Sequence, residues 1–252
     1  MPERRAVRTA IAVLAGSVAV SALAGCAVDI GAPQHRTSSY SLSGQPRTLV
    51  VNAHIGSVRI TGSDSGKVSV TERISFRGTA PSVSHRAAAG TVILDSSCPA
   101  LETCTVGYDI TVPRAMTVRV TSNVGEIRLR SLSGQVTAHT NAGNIDLGSI
   151  SGPLEATGHA GVIRGQDVSS PRATLHSSAG TIDMAFTAAP ATLTATSDIG
   201  SVTLRVPGSL PYNVTTNVGV GSTHVGVTRS PASPHAITAG TRTGSVIIEP
   251  AA

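Results

Sequence analysis

"TNAGNIDL" (residues 140–147) repeats, with changes, what "TSNVGEIRL" (121–129) states eighteen residues earlier. The theme returns as "GHAGVIRG" (158–165), "SSAGTIDM" (177–184), "SDIGSVTL" (197–204), "TTNVGVGS" (215–222) and "TRTGSVII" (241–248). The anchoring glycines are Gly125, Gly143, Gly161, Gly180, Gly200 and Gly219, at spacings of 18, 18, 19, 20 and 19. Gly56 and Gly244 open similar segments outside that run. A unit this short cannot bury its own apolar face. A series of them predicts a solenoid, each unit closing the core of the next.

Aligned on the glycine, the repeats form columns. Two residues after it stand Ile127, Ile145, Ile163, Ile182 and Val202. Four after it stand Leu129, Leu147, Gly165, Met184 and Leu204. Seven before it are Val118, Val136, Leu154, Ala173, Leu193 and Tyr212, and five before it Val120, Ala138, Ala156, Leu175, Ala195 and Val214. Strands alternate their faces, so these positions point inward. The spacing predicts parallel rungs about 4.8 Å apart. Two residues before the glycines lie Asn123, Asn141, His159, Ser178, Asp198 and Asn217. Asn, Asp and Gly accept tight corners, so "NAG" reads as a corner and "NIDL" as the strand leaving it. A second corner follows in "SLSG" and "SISG", and at Pro171 and Pro190. Gly165 replaces an inward apolar residue and predicts a thin rung.

Composition agrees with an all-β chain. The 252 residues are 40% apolar, with no Trp, two Phe and three Tyr, so Val, Ile, Leu and Ala must fill a narrow interior. "TLVVNAHIGSVRI" (48–60), "KVSVTERISF" (67–76), "GTVILD" (90–95) and "YDITVP" (108–113) have period two. Residues 40–113 predict an irregular antiparallel β region that caps the stack, and 114–250 the solenoid proper.

The N-terminus reads as an export signal. A basic start, "MPERRAVR", precedes the small and apolar run "AIAVLAGSVAVSALA", which is shorter than the roughly 20 residues of a membrane span. It ends in "LAGC", Leu23 to Cys26. This resembles the lipobox of bacterial lipoproteins. The resemblance implies cleavage after residue 25 and lipidation of the Cys26 sulfur. Two acyl chains on a diacylglyceryl group suffice for stable membrane attachment. Residues 26–39 lack periodicity and read as a tether. Cys98 and Cys104 remain as a pair that oxidises outside the cytoplasm, a short structural staple. There is no C-x-x-C redox motif, and two cysteines without nearby His make no zinc site.

The series "YDITVP", "VRVTSNVGEIRL" (118–129), "VTAHTNAGNIDL" (136–147) and "ATLHSSAGTIDM" (173–184) resembles the bacterial putative-adhesin family, a domain of unknown function with stacked G-x-I-x-L repeats. The resemblance covers residues 40–249. It implies an extracytoplasmic β-solenoid and brings no catalytic motif.

The outward columns carry charged and polar residues. Arg128, Asp146, Arg164 and Asp183 alternate in sign and predict a charge ladder worth about 0–1 kcal/mol per exposed pair. Asp146 and Asp183, two rungs or roughly 9.6 Å apart, approach the separation of an inverting glycosidase. Arg164 between them opposes the raised pKa a general acid needs, and no Trp offers a sugar platform. His139 and His176, also two rungs apart with Thr157 between, cannot share a zinc ion. The net charge of +5 falls to +3 once Arg4, Arg5, Arg8 and Glu3 are removed. The remaining Arg residues are dispersed, which disfavours nucleic acid. No cofactor motif is present. The sequence therefore predicts a non-catalytic interaction or structural module, held on the outer side of the cell membrane by Cys26, with an envelope protein or glycan as partner. The alternative is a carbohydrate-active enzyme on the same scaffold.

Overall fold

The computed structural model describes residues 32–42, 46–99 and 103–251. The expected signal segment and Cys26 lie outside these residues. What is described is all β, nineteen strands from β1 (Gln34–Leu42) to β19 (Ala236–Pro250), in a β-solenoid-like fold.

Each repeat lays down one strand before its glycine and one after. The pairs are β8 (Thr117–Val124) with β9 (Ile127–Leu132), then β10 (Val136–Ala142) with β11 (Ile145–Ile150) and β12 (Leu154–Ala160) with β13 (Ile163–Val168). They continue as β14 (Arg172–Ala179) with β15 (Ile182–Phe186) and β16 (Thr192–Ile199) with β17 (Val202–Val206). First strands stack on first strands and second on second, all parallel, with one register shift between Gly165 and Val168 where β13 meets β15. Val136 lies between Val118 and Leu154, and Ile145 between Ile127 and Ile163. The backbone ladder closes between rungs, for example Ile127 N–H to Asn144 O and Ile145 N–H to Val162 O, both 2.9 Å. The predicted inward files line up, and Ile127, Ile145, Ile163, Ile182 and Val202 are all buried.

The glycine has a steric reason. At Gly143, φ is +144°, and an added Cβ would sit 2.0 Å from the Gly125 carbonyl oxygen. Gly125 meets Gly56 in the same way at 1.9 Å, and Gly244 meets Gly200 at 2.1 Å. The corners are packed backbone on backbone, and a side chain there would hold the rungs apart. The hydroxyl three residues before the glycine ties corners together in the later rungs only; Ser122, Thr140 and Ser177 hold the same column with buried hydroxyls that find no partner among the described residues. Ser197 donates to Gly180 O at 3.0 Å, and Thr241 to Gly200 O at 2.9 Å, each tying a corner to the neighbouring one.

Four expectations change. First, the region before residue 114 is not only a cap. β2 (Thr48–Ile55) and β3 (Val58–Ser63) form a full rung in parallel register with β8 and β9, Leu49 on Val118 and Val58 on Ile127. β6 (Thr91–Ser97) and β7 (Cys104–Pro113) stack on its other side, also parallel. Antiparallel pairing is confined to β4 (Val68–Phe76) between β1 and β7, and β5 (Ser82–Ala88) on β6. Second, the expected tether ends early, because Gln34–Ser39 belong to β1, paired along its length with β4. Third, the last two rungs are interleaved. β19 inserts between β16–β17 and β18 (Asn213–Val225), so Gly244 stacks on Gly200 and Gly221 on Gly244. The corner glycine is Gly221, not Gly219, and Val214 pairs with Ile237 in the file of Leu193, with Tyr212 buried ahead of it. Fourth, the rung at Gly165 is not thin. Met184 from the next rung leans into the space, its Sδ 2.5 Å from where a Cβ at 165 would stand. An unbranched thioether suits such a gap.

Cys98 and Cys104 are bonded, with Cα atoms 5.8 Å apart, and close the corner between β6 and β7. In register that corner comes next after Gly56, where Val106 takes the glycine's place.

Candidate functional site

The residue just before most corner glycines is exposed, while Ile55 packs partly against the core. It stands on the corner itself. In register these residues are Ile55, Val124, Ala142, Ala160, Ala179, Ile199, Thr243 and Val220. Seven steps of about 4.8 Å make a file of roughly 34 Å. It contains no charge. Val124 is 44% exposed, Ile199 63% and Val220 69%. These are three of the four large exposed hydrophobic side chains among the described residues. The glycine file runs beside it, so bare backbone flanks the ridge. An uncharged strip of this kind, apolar but for Thr243, is what a contact surface looks like on a folded protein.

One flank is a polar ladder two residues before the glycines. Asn141 Nδ2 donates to Asn123 Oδ1 at 2.7 Å, and Arg242 pairs with Asp198 at 2.9 Å. His139 Nε2 lies 3.2 Å from Asn141 Oδ1, and its ring meets His159 edge-on at 5.4 Å. A shallow groove of about 270 Å³ opens here, lined by Asn52, His54, Thr121, Asn123, His139 and Asn141. His139 and His176 do share a file with Thr157 between them, and His176 Nδ1 engages Thr196 at 3.1 Å. Among the described residues no group of three His, Cys, Asp or Glu converges as a metal site would require.

The charge file on the second sheet is longer and less regular than expected. In register it runs Asp109, Arg59, Arg128, Asp146, Arg164, Asp183, so two guanidiniums, Arg59 and Arg128, are neighbours. Carboxylates within the file, with Glu126 beside it, relieve them. Arg59 pairs with Asp109 at 2.6 Å, and Arg128 with Glu126 and, at 3.7 Å, with Asp146. Asp183 pairs with Arg205 at 2.7 Å instead of with Arg164.

Glu126 was not singled out by sequence, because it occupies a corner column with no common chemistry. The Asp146 carboxyl beside it, and burial after that, raise its pKa above the ordinary value against the pull of Arg128. A raised carboxyl pKa in the folded state contributes stability at low pH and loses it as pH rises through the folded value. The melting temperature of the protein relative to its Glu126→Gln variant should therefore rise as pH is lowered through the carboxylate range. A difference flat with pH would show that Asp146 does not burden Glu126. Both carboxyls stand on an open sheet at about one-third exposure or less, with Arg128 against them. That arrangement sets both carboxyls against one guanidinium.

A second unforeseen group closes the core near β1. Glu72 occupies an inward position of β4, 5% exposed, and accepts from Tyr40 Oη at 2.6 Å. Burial, then that hydrogen bond, push the Tyr40 phenol well above its usual pKa. Burial also pushes Tyr108 up to about 12. His85 stacks on Tyr40 at 4.6 Å. Tyr40 and Glu72 satisfy each other at the end of the core, while the buried Tyr108 hydroxyl has no hydrogen-bond partner among the described residues.

Residues 54–249 match the Toastrack DUF4097 family. Among solved structures, one described as a "putative adhesin" from Bacteroides fragilis is 16% identical, covers 86% of this chain and 97% of its own, and superposes with a TM-score of 0.52. A "putative cell adhesion protein" from Clostridium sporogenes is 11% identical, covers 86% and 100%, and has a TM-score of 0.37. No curated protein matches the chain.

Proposed function

The chain belongs to the Toastrack DUF4097 family, and on that premise we propose that it is a non-catalytic interaction module, tethered to the outer face of the cell membrane through a lipidated Cys26. Its contact surface is the ridge from Ile55 to Val220, with the Asn–His ladder beside it supplying polar contacts to an envelope protein or glycan. The observation that carries this reading is the concentration of exposed large apolar side chains in one uncharged file beside bare glycine backbone. The charged face supports it in the negative sense, since its carboxylates are paired with guanidiniums on an open sheet.

The test is capture of the cross-linked full chain from intact envelopes. The wild type should retain a reproducible protein or glycan partner. Val124→Asp with Ile199→Asp should reduce that partner by about tenfold or more, since each apolar side chain is worth roughly 1.5–3 kcal/mol when buried. The same variant should melt close to the wild type, because both sites are exposed. A partner retained undiminished would remove the ridge from the reading. Cys26→Ser should leave the protein unprocessed or shed into the medium, and unchanged membrane retention with normal processing would remove the anchor.

A further inference from the structure

The two ends of the stack are finished differently. At one end the outermost strands are β1 and β5, antiparallel edges that carry His35, Arg36, His85 and Arg86. Charged edge residues such as Arg36 and Arg86 discourage a further strand from adding. At the other end the last strand is β18. It pairs with β19 on one side only. Its sequence, "NVTTNVGVGSTHV", has no Asp, Glu, Lys, Arg or Pro in thirteen residues, and His224 is its only titratable side chain. Val214, Val218 and Val225 reach the core from β18 and stay only half-buried. Just ahead of β18 the returning chain covers the edge, with Tyr212 N–H bonded to Thr228 O and Ser230 N–H to Tyr212 O, both 2.9 Å, and Val227 buried. Along β18 itself an open backbone edge and half-buried valines coincide.

We propose that β18 is a self-association edge, whose occupant is β18 of a second copy of this chain, antiparallel about a two-fold axis through the corner at Gly221. The register follows from parity. Before the corner the inward residues are Val214, Thr216 and Val218, and after it Thr223 and Val225. A two-fold axis swaps the two arms, so an inward residue of one arm must face an inward residue of the other. Val218 opposite Thr223 and Thr216 opposite Val225 satisfy this on both arms at once. The same register sets Val220, 69% exposed, opposite Gly221 of the other copy, where no side chain opposes it. Asn217 then faces His224 on the outer surface. No like charges meet across the axis. The N–H and C=O groups of an edge are satisfied only by another strand, and the copy brings one of matching length with the same half-buried valines. The corner ridges of the two copies then run on end to end.

The test uses the full chain in mild detergent. Its sedimentation should give a dimer, and Val220→Lys, which sets an ammonium group at the edge of each copy, should weaken the dimer by roughly tenfold or more while the melting temperature holds. Directly opposed residues in an antiparallel pair have Cα atoms about 4.5–5.5 Å apart, within disulfide reach. Co-expressed Asn217→Cys and His224→Cys chains should therefore cross-link between copies, and neither should do so with an Asn52→Cys chain altered elsewhere in the stack. A monomeric wild type overturns the proposal, including one that takes up an extended peptide instead. So does a dimer without the 217–224 cross-link.

Discussion

Gly143→Ala should cost about 4 kcal/mol or more and leave the protein largely unfolded at 37 °C. The residue sits at φ +144°, a region that L side chains rarely adopt, and occupying it costs roughly 1–3 kcal/mol. The clash adds to that. The new Cβ would stand 2.0 Å from Gly125 O, and the obstructing atom is backbone, held by the ladder on both sides. Relief requires the two rungs to part, which strains the bonds from Gly125 N–H to Ala142 O and from Ile127 N–H to Asn144 O, both 2.9 Å. Each lost bond is worth about 1 kcal/mol. Total stabilities of ordinary domains are about 5–15 kcal/mol, so the sum is a large fraction. Gly158→Ala is the control. It lies in the same rung stack, but its nearest neighbours would be 3.9 Å from the added methyl, and the change should be nearly silent. Equal melting temperatures for the two variants would mean that the glycine file is not what sets the rung spacing.

The same file decided how much could be read beforehand. Five glycines from Gly125 to Gly200, at near-constant intervals with an apolar residue two positions on, are a direct imprint of stacking, and those apolar residues proved to be the core. The rung at β2–β3 escaped because its neighbour in space is far away in sequence. Gly56 and Gly125 are stacked, but β4 to β7 intervene, so no period links them. The final corner was misplaced by two residues because "NVGVG" contains two glycines with an Asn at the usual offset from the first. Only the pairing of β18 with β19 selects Gly221. The buried file at the second corner, Leu132, Ile150 and Val168, was lost for another reason. Ser131, Ser149 and Asp167 adopt left-handed backbone, φ +58°, +53° and +54°, and that one residue breaks the period of two. Glu72 was hidden by its type, since a carboxylate at an inward position is legible only once Tyr40 is seen beside it. The ridge was present in the sequence as Val124, Ala142, Ala160, Ala179 and Ile199, one before each glycine. Its meaning depended on exposure, which alternation does not predict at a corner.

Ile145→Asp and Ile199→Asp make the distinction between core and ridge measurable. Both put a carboxylate in place of the same aliphatic, each within two residues of a corner glycine. Ile145 is fully buried between Ile127 and Ile163, with no cation in the file. Its loss removes about 1.5–3 kcal/mol of burial. The new carboxyl must then either ionise without a partner or remain protonated at a cost that grows with pH. The expected total is about 5 kcal/mol or more at pH 7, enough to abolish a cooperative melt. Part of it should return on acidification, because the folded-state pKa of such a group is raised and its penalty shrinks as pH falls. Ile199 is 63% exposed, and Asp there should shift stability by no more than about 0.5 kcal/mol. It should act on partner binding alone. A native-like melt for Ile145→Asp would mean that the isoleucine file is not the axis of the stack, and unfolding by Ile199→Asp would mean that the ridge belongs to the core and not to a partner.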